Sequence, residues 1–89
     1  AGIQQPELSA EILFPNPMKS GDQIKVLVNT PQAIKIEIFS IFGQIIWSTK
    51  SEIGYSHNFQ FDSKAKKGVY IMKISDRRGL SINRKVIIL

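Results

Sequence analysis

Isoleucine and valine recur two residues apart along much of this chain. Ile24, Val26 and Val28 form one set and Ile34, Ile36 and Ile38 a second, with Lys25, Lys35 and Glu37 between them. A strand turns successive side chains to opposite faces, so period two gathers each set on one face and sends the charged residues to the other. Short apolar runs of this kind, separated by turn signals, predict seven strands over 12–14, 24–29, 34–41, 44–50, 55–61, 68–75 and 80–88. Phe39 and Ile41 interrupt the alternation, which predicts that the third strand is covered on both sides near its end. A helix over 34–47 would need apolar spacing of three and four and would have to absorb Gly43 and many β-branched residues.

The breaks have their own mechanisms. Ser20-Gly21-Asp22, Phe42-Gly43-Gln44 and Arg77-Arg78-Gly79 each place a glycine where a tight turn needs positive φ. Asn29-Thr30-Pro31 is expected to end the second strand, because proline brings no N–H to a ladder. Residues 1–11, with Pro6 and no strong period, read as a linker or N-terminal arm, and 12–89 as one domain. Antiparallel strands in two stacked sheets with Greek-key connections follow from this order.

Composition narrows the picture without changing it. The 89 residues suffice for one domain, and 43% hydrophobic with 21% charged is ordinary for a folded chain. With no cysteine there is neither a disulfide nor a thiolate ligand, and the redox compartment stays open. No apolar run approaches the roughly 20 residues needed to span a bilayer, and the first residues carry no basic-then-apolar signal peptide. The absent initiator methionine suggests a processed product or a piece of a longer protein.

Candidate chemistry is sparse. His57 stands alone within Ser56-His57-Asn58 and reads as a surface or strand residue; no second histidine accompanies it. The acids Glu7, Glu11, Asp22, Glu37, Glu52, Asp62 and Asp76 fall mostly beside turns or at strand positions facing water. No phosphate-cradling glycine loop, nucleophile elbow or metal-ligand spacing is present. An enzyme is therefore not expected, nor a metal, nor a cofactor.

The formal charge is +5, and Lys64, Lys66, Lys67, Lys73, Arg77, Arg78, Arg84 and Lys85 face one acid, Asp76. Aromatics are not interleaved as a stacking platform requires, so no nucleic-acid partner is expected. The basic run reads as a solvated face with basic turns, or as a docking surface for an anionic protein or lipid headgroup. Trp47, Tyr55 and Phe59 could stack on sugars, although Trp47, beside Ile45 and Ile46, reads first as core.

Three segments in order carry a resemblance. They are Phe14-Pro15-Asn16-Pro17 ahead of a strand, the run from Ile36 through Phe42-Gly43-Gln44 to Ile46, and Lys67-Gly68-Val69-Tyr70-Ile71-Met72-Lys73-Ile74 followed by Arg84-Lys85-Val86-Ile87-Ile88-Leu89. Over residues 12–89 the chain resembles the type A C-terminal sorting domains of the type IX (Por) secretion system of Bacteroidetes. One departure is Ala65-Lys66-Lys67 ahead of Gly68, where the family more often has leucine, proline or small residues.

The resemblance implies an all-β, immunoglobulin-like sandwich that is a non-catalytic sorting signal. Its partners would be a covalently linked N-terminal cargo, the type IX translocon and a gingipain-like sortase. The cargo would pass through the periplasm to the outer membrane and cell surface, with the domain usually cleaved off and the cargo attached to lipopolysaccharide. Gly68, Tyr70, Arg84, Lys85, Val86, Ile88 and Leu89 are the recognition candidates, because a closing strand with a free carboxylate detaches more easily than an internal one and can be read by strand addition. Pro15, Asn16, Pro17, Gly43, Gly68 and Tyr70 are structural candidates. The prolines stiffen a segment that cannot extend the first ladder, and Tyr70 is placed to bond back to the corner before the sixth strand. Exposed edges allow weak self-association. The alternatives are an immunoglobulin- or fibronectin-like adhesion module binding carbohydrate or protein, and a structural spacer.

Overall fold

The computed structural model describes residues 8–89. Seven strands, β1 (Ala10–Leu13), β2 (Gln23–Gln32), β3 (Ile34–Ser40), β4 (Ile45–Lys50), β5 (Gly54–Gln60), β6 (Gly68–Asp76) and β7 (Ser81–Ile88), account for its regular structure. They form two antiparallel sheets, a narrow one ordered β1-β2-β5 and a wide one ordered β4-β3-β6-β7. This is an immunoglobulin-like sandwich in which β4 pairs with β3, rather than joining the first sheet as in the constant-type arrangement.

Alternation builds the core. Ile24, Val26 and Val28 from β2 meet Ile34, Ile36 and Ile38 from β3, with Met72 and Ile74 of β6 filling the wide sheet's inner face. Phe61, just past β5, is fully buried, and the Trp47 ring meets it edge-on with centroids 5.3 Å apart. Each fully buried isoleucine contributes about 1.5–3 kcal/mol, so this shared layer carries most of the fold's stability.

The two hairpins of the wide sheet are built alike. In each, a polar residue closes the turn, its N–H donating to the carbonyl four residues on: Ser40 to Gln44 and Asp76 to Leu80. Its side chain accepts the N–H groups two and four residues on, Phe42 and Gln44 for Ser40 Oγ, and Arg78 and Leu80 for Asp76 Oδ1. A glycine takes the left-handed position in both, Gly43 at φ 86° and Gly79 at φ 89°. This is the three-residue hairpin with a glycine bulge. Only the tips differ: Ile41-Phe42 in one and Arg77-Arg78 in the other.

Several sequence expectations are corrected. Pro31 does not end β2, which runs on to Gln32. Pairing with β1 has finished at Val28, and the ladder to β5 is interrupted between Leu27 and Gln32, so no ladder bond asks for the missing N–H. The outer side of β3 is not covered at its end: Ile41 is exposed, because no layer of the described residues lies over that face. The first strand begins at Ala10 rather than Ile12, because Ala10 pairs with Val28, and ahead of it Leu8 is buried with its N–H donating to the Ser81 carbonyl. The rest of the expected arm, residues 1–7, lies outside the described residues. Asp76 does not face water: its side chain is wholly enclosed.

Burial by itself would push the Asp76 carboxyl up. It is outweighed by the hydrogen bond from the Arg78 side chain, those from the Leu80 and Arg78 N–H groups, and the Arg78 charge, so the group lies below the ordinary aspartate value. The folded state thus holds this proton less tightly than the unfolded chain does. The carboxylate contributes stability above about pH 4 and loses it as the pH falls through its folded value. Asp76→Asn should cost about 1–2 kcal/mol near neutral pH. The gap to the wild type should close as the pH drops below about 4. Urea midpoints across that range test this, and a gap that stayed constant would assign the loss to something other than the carboxylate's charge.

Candidate functional site

Strand β7 lies at an open edge of the wide sheet. Ile82, Val86 and Ile88 point into the core, while Asn83, Lys85 and Ile87 are on the outer face. The backbone of the odd-numbered residues is directed away from β6, and much of it finds partners across the sandwich. The Ile87 carbonyl accepts from Met18 N–H (2.7 Å), and Leu89 N–H donates to the Met18 carbonyl (2.9 Å). Asn16 Oδ1 accepts from Ile87 N–H (2.9 Å), and Asn16 Nδ2 donates to the Lys85 carbonyl (3.4 Å).

The segment of residues 14–18 is therefore a strap. It leaves the narrow sheet after β1, crosses to the wide one and lies along β7. The flanking Pro15 and Pro17 have no N–H to give, and the Asn16 side-chain amide offers one donor and one acceptor to β7, imitating a strand's backbone. Met18, fully buried, pins the far end through a single parallel bridge to Ile88. The peptide between Asn16 and Pro17 is cis.

Between the strap and Ser81, whose carbonyl takes the Leu8 N–H, a short stretch stays open. The Asn83 carbonyl is capped by Arg84 Nη1 (2.9 Å). Among the described residues the outward N–H groups of Asn83 and Lys85 have no partner.

The expected recognition residues divide accordingly. Arg84, Lys85 and Leu89 are exposed, whereas Tyr70, Val86 and Ile88 are buried and could meet a partner only if β7 moved. Gly68 and Tyr70 open β6 opposite Ile88 and Val86, so all seven gather around the β6–β7 ladder. Tyr70 Oη donates to the Lys66 carbonyl (2.5 Å), tying down the corner at Ala65-Lys66-Lys67. A side chain at Gly68 would meet the Tyr70 ring at an ordinary 3.8 Å, so crowding does not account for that glycine. Gly43 sits in the β3–β4 hairpin at the same end of the sheet. Met18 and Leu8 were not among the sequence candidates, since nothing local marks an isolated apolar residue as an edge partner.

His57 is buried in β5, its Nε2 donating to the Gly54 carbonyl (2.8 Å) and its Nδ1 paired with Ser51 Oγ (2.6 Å). That hydroxyl is also held by the Ile34 N–H (3.3 Å), so Ser51 and His57 clamp β3 to β5 rather than expose a nucleophile. Among the described residues no three metal-ligating side chains come together. Trp47, Tyr55 and Phe59 do not form a sugar platform together: Phe59 is buried, Trp47 packs on Phe61, and of the three only Tyr55 is open.

Two variants separate the corner from the strap. Tyr70→Phe should lower stability by about 1 kcal/mol, a drop of several degrees in Tm. An unchanged midpoint would remove Tyr70 from that role. Asn16→Ala should speed hydrogen exchange at the Ile87 amide while leaving the β3–β6 amides protected, because it frees an edge and disturbs no core contact. Equal exchange at Ile87 in both proteins would show that the strap does not guard the edge.

No curated protein matches this chain. Residues 12–89, which span both sheets, the strap and β7, match the secretion system C-terminal sorting domain family. With that match over nearly its whole length, the chain belongs to the family of C-terminal sorting domains of the type IX secretion system.

Proposed function

We propose that this chain is the non-catalytic export tag of a cargo protein joined ahead of the folded body. The family membership makes it a cargo signal for the type IX machinery and implies export towards the cell surface. In this reading the translocon receives the folded sandwich, and a gingipain-like sortase then removes it and attaches the cargo to surface lipopolysaccharide. The segment before Leu8 is the joint where cleavage falls, since from Leu8 onward the chain is engaged in the core and in β1.

The observation that carries the proposal is the β7 edge. Among the described residues its Asn83 and Lys85 N–H groups have no partner, and beyond them the edge is closed by one side-chain amide and one bridge residue. An extended partner segment could add at Asn83 and Lys85 and lengthen its ladder by displacing Asn16. Arg84 and Lys85 give that edge a positive rim, which favours and orients an acidic partner.

A reporter fused ahead of residues 1–89 should reach the surface of a host that has the system and be recovered there without the domain. The same fusion lacking β7 should stay in the periplasm. A complete fusion that the host fails to export, while exporting its own cargo, would count against the proposal.

A further inference from the structure

The outer face of the wide sheet is divided in two by its chemistry. Register gives four cross-strand rows. Towards the β6–β7 hairpin they read Lys50, Lys35, Ser75, Ser81 and then Ser48, Glu37, Lys73, Asn83. Towards the β3–β4 hairpin they read Ile45, Phe39, Ile71, Lys85 and then Val69, Ile87. Ile41 and Phe42 extend the apolar half at the turn and are 70% and 86% exposed.

The fold does not require this apolar half. The outer face of an antiparallel sheet is ordinarily solvated and polar, as the other two rows are. The β6–β7 hairpin reproduces the β3–β4 hairpin bond for bond with Arg77-Arg78 at the positions of Ile41-Phe42. Turn geometry thus leaves the choice of tip free, and this tip is apolar. An open apolar patch beside a sheet edge is a liability for a protein that has nothing to place on it.

Charge and continuity indicate what would cover it. Lys85 and Lys73 border the patch, and the nearest acid, Glu37, is already matched by Lys35 at 3.7 Å. Two copies placed face to face would bring these cationic borders together, which disfavours self-pairing. Ile87 belongs to both surfaces: its side chain lies on the patch and its backbone on the β7 edge. A ligand that uses both must supply a backbone for the ladder, which a lipid cannot do.

We propose that the apolar half-face, from Ile41 and Phe42 across Ile45, Val69 and Ile71 to Ile87, docks a folded protein of the type IX machinery whose contact surface is apolar at its centre and acidic at its border. This rests on the export reading above and extends the recognised surface from the edge of β7 round to the sheet's outer face.

The test titrates the full chain against purified type IX translocon in detergent. Ile41→Ser with Phe42→Asn removes the apolar tip at constant charge, on a turn whose sister already carries polar residues. Ile71→Thr trims the face and keeps a β-branched side chain. With thermal midpoints close to wild type, the tip variant should bind at least about tenfold more weakly, a loss of 1.4 kcal/mol. Lys85→Glu should weaken binding and flatten its salt dependence. Binding equal to wild type in both apolar variants would overturn the proposal. So would variants that abolish only self-association in sedimentation, or only binding to phosphatidylglycerol vesicles, since the occupant would then be a second copy or a membrane. An unmodified chain that ignored the translocon would instead remove the export reading together with this one.

Discussion

Two sheets of unequal width share one apolar layer, and most other features of this protein answer to that arrangement. Ile24, Val26 and Val28 on one side and Ile34, Ile36, Ile38, Met72 and Ile74 on the other must face each other. Three strands packed on four leave the margin of the wide sheet without a strand opposite it. Arg84 shows the effect. It has the parity of the buried Ile82, Val86 and Ile88 and pairs with the buried Met72, yet it remains exposed and turns its guanidinium to a neighbouring carbonyl. The edge strand that results would be a hazard if left bare.

The protein manages that hazard by local means. A strand laid along β7 would close the edge outright; the strap instead uses Asn16 between two prolines, with Met18 as its anchor. A cover of this kind makes few bonds, exposes most of its residues and depends on one buried side chain. It lies at the low-stability end of the local openings a small domain permits.

Charge placement follows the same economy. Asp76 is the sole acid after residue 62, and it is spent inside the β6–β7 turn, where Arg78 and two N–H groups hold it ionised. The remaining cations of that region are exposed, apart from the half-buried Lys73, and give this end of the chain its positive field. His57 and Ser51 are likewise absorbed into the structure, their polar atoms satisfied by Gly54 and Ile34.

Much of this was legible in the residues themselves. All seven strands lie close to where period two puts them, the glycine turns fall where positive φ was called for, and Tyr70 stands at its corner, because these features depend on near neighbours along the chain. Pro31 misled, since whether a missing N–H matters depends on a ladder that happens to be interrupted there. Asp76 misled as well, because a turn-side acid does not reveal that an arginine two residues on will fold back and enclose it; His57 lies in a strand, as one of its two readings had it, and only its burial against Ser51 and the Gly54 carbonyl was not legible. By itself, then, the sequence determined the β class, the inner faces and the turns, through alternation and backbone sterics. The tertiary structure alone decided that β4 joins β3, that β7 is the edge, that Asn16 meets Ile87 across 71 residues, and that apolar residues from four strands converge on one outer face. Strands of similar pattern are interchangeable partners locally, and only loop reach and the packing of the whole layer select among them.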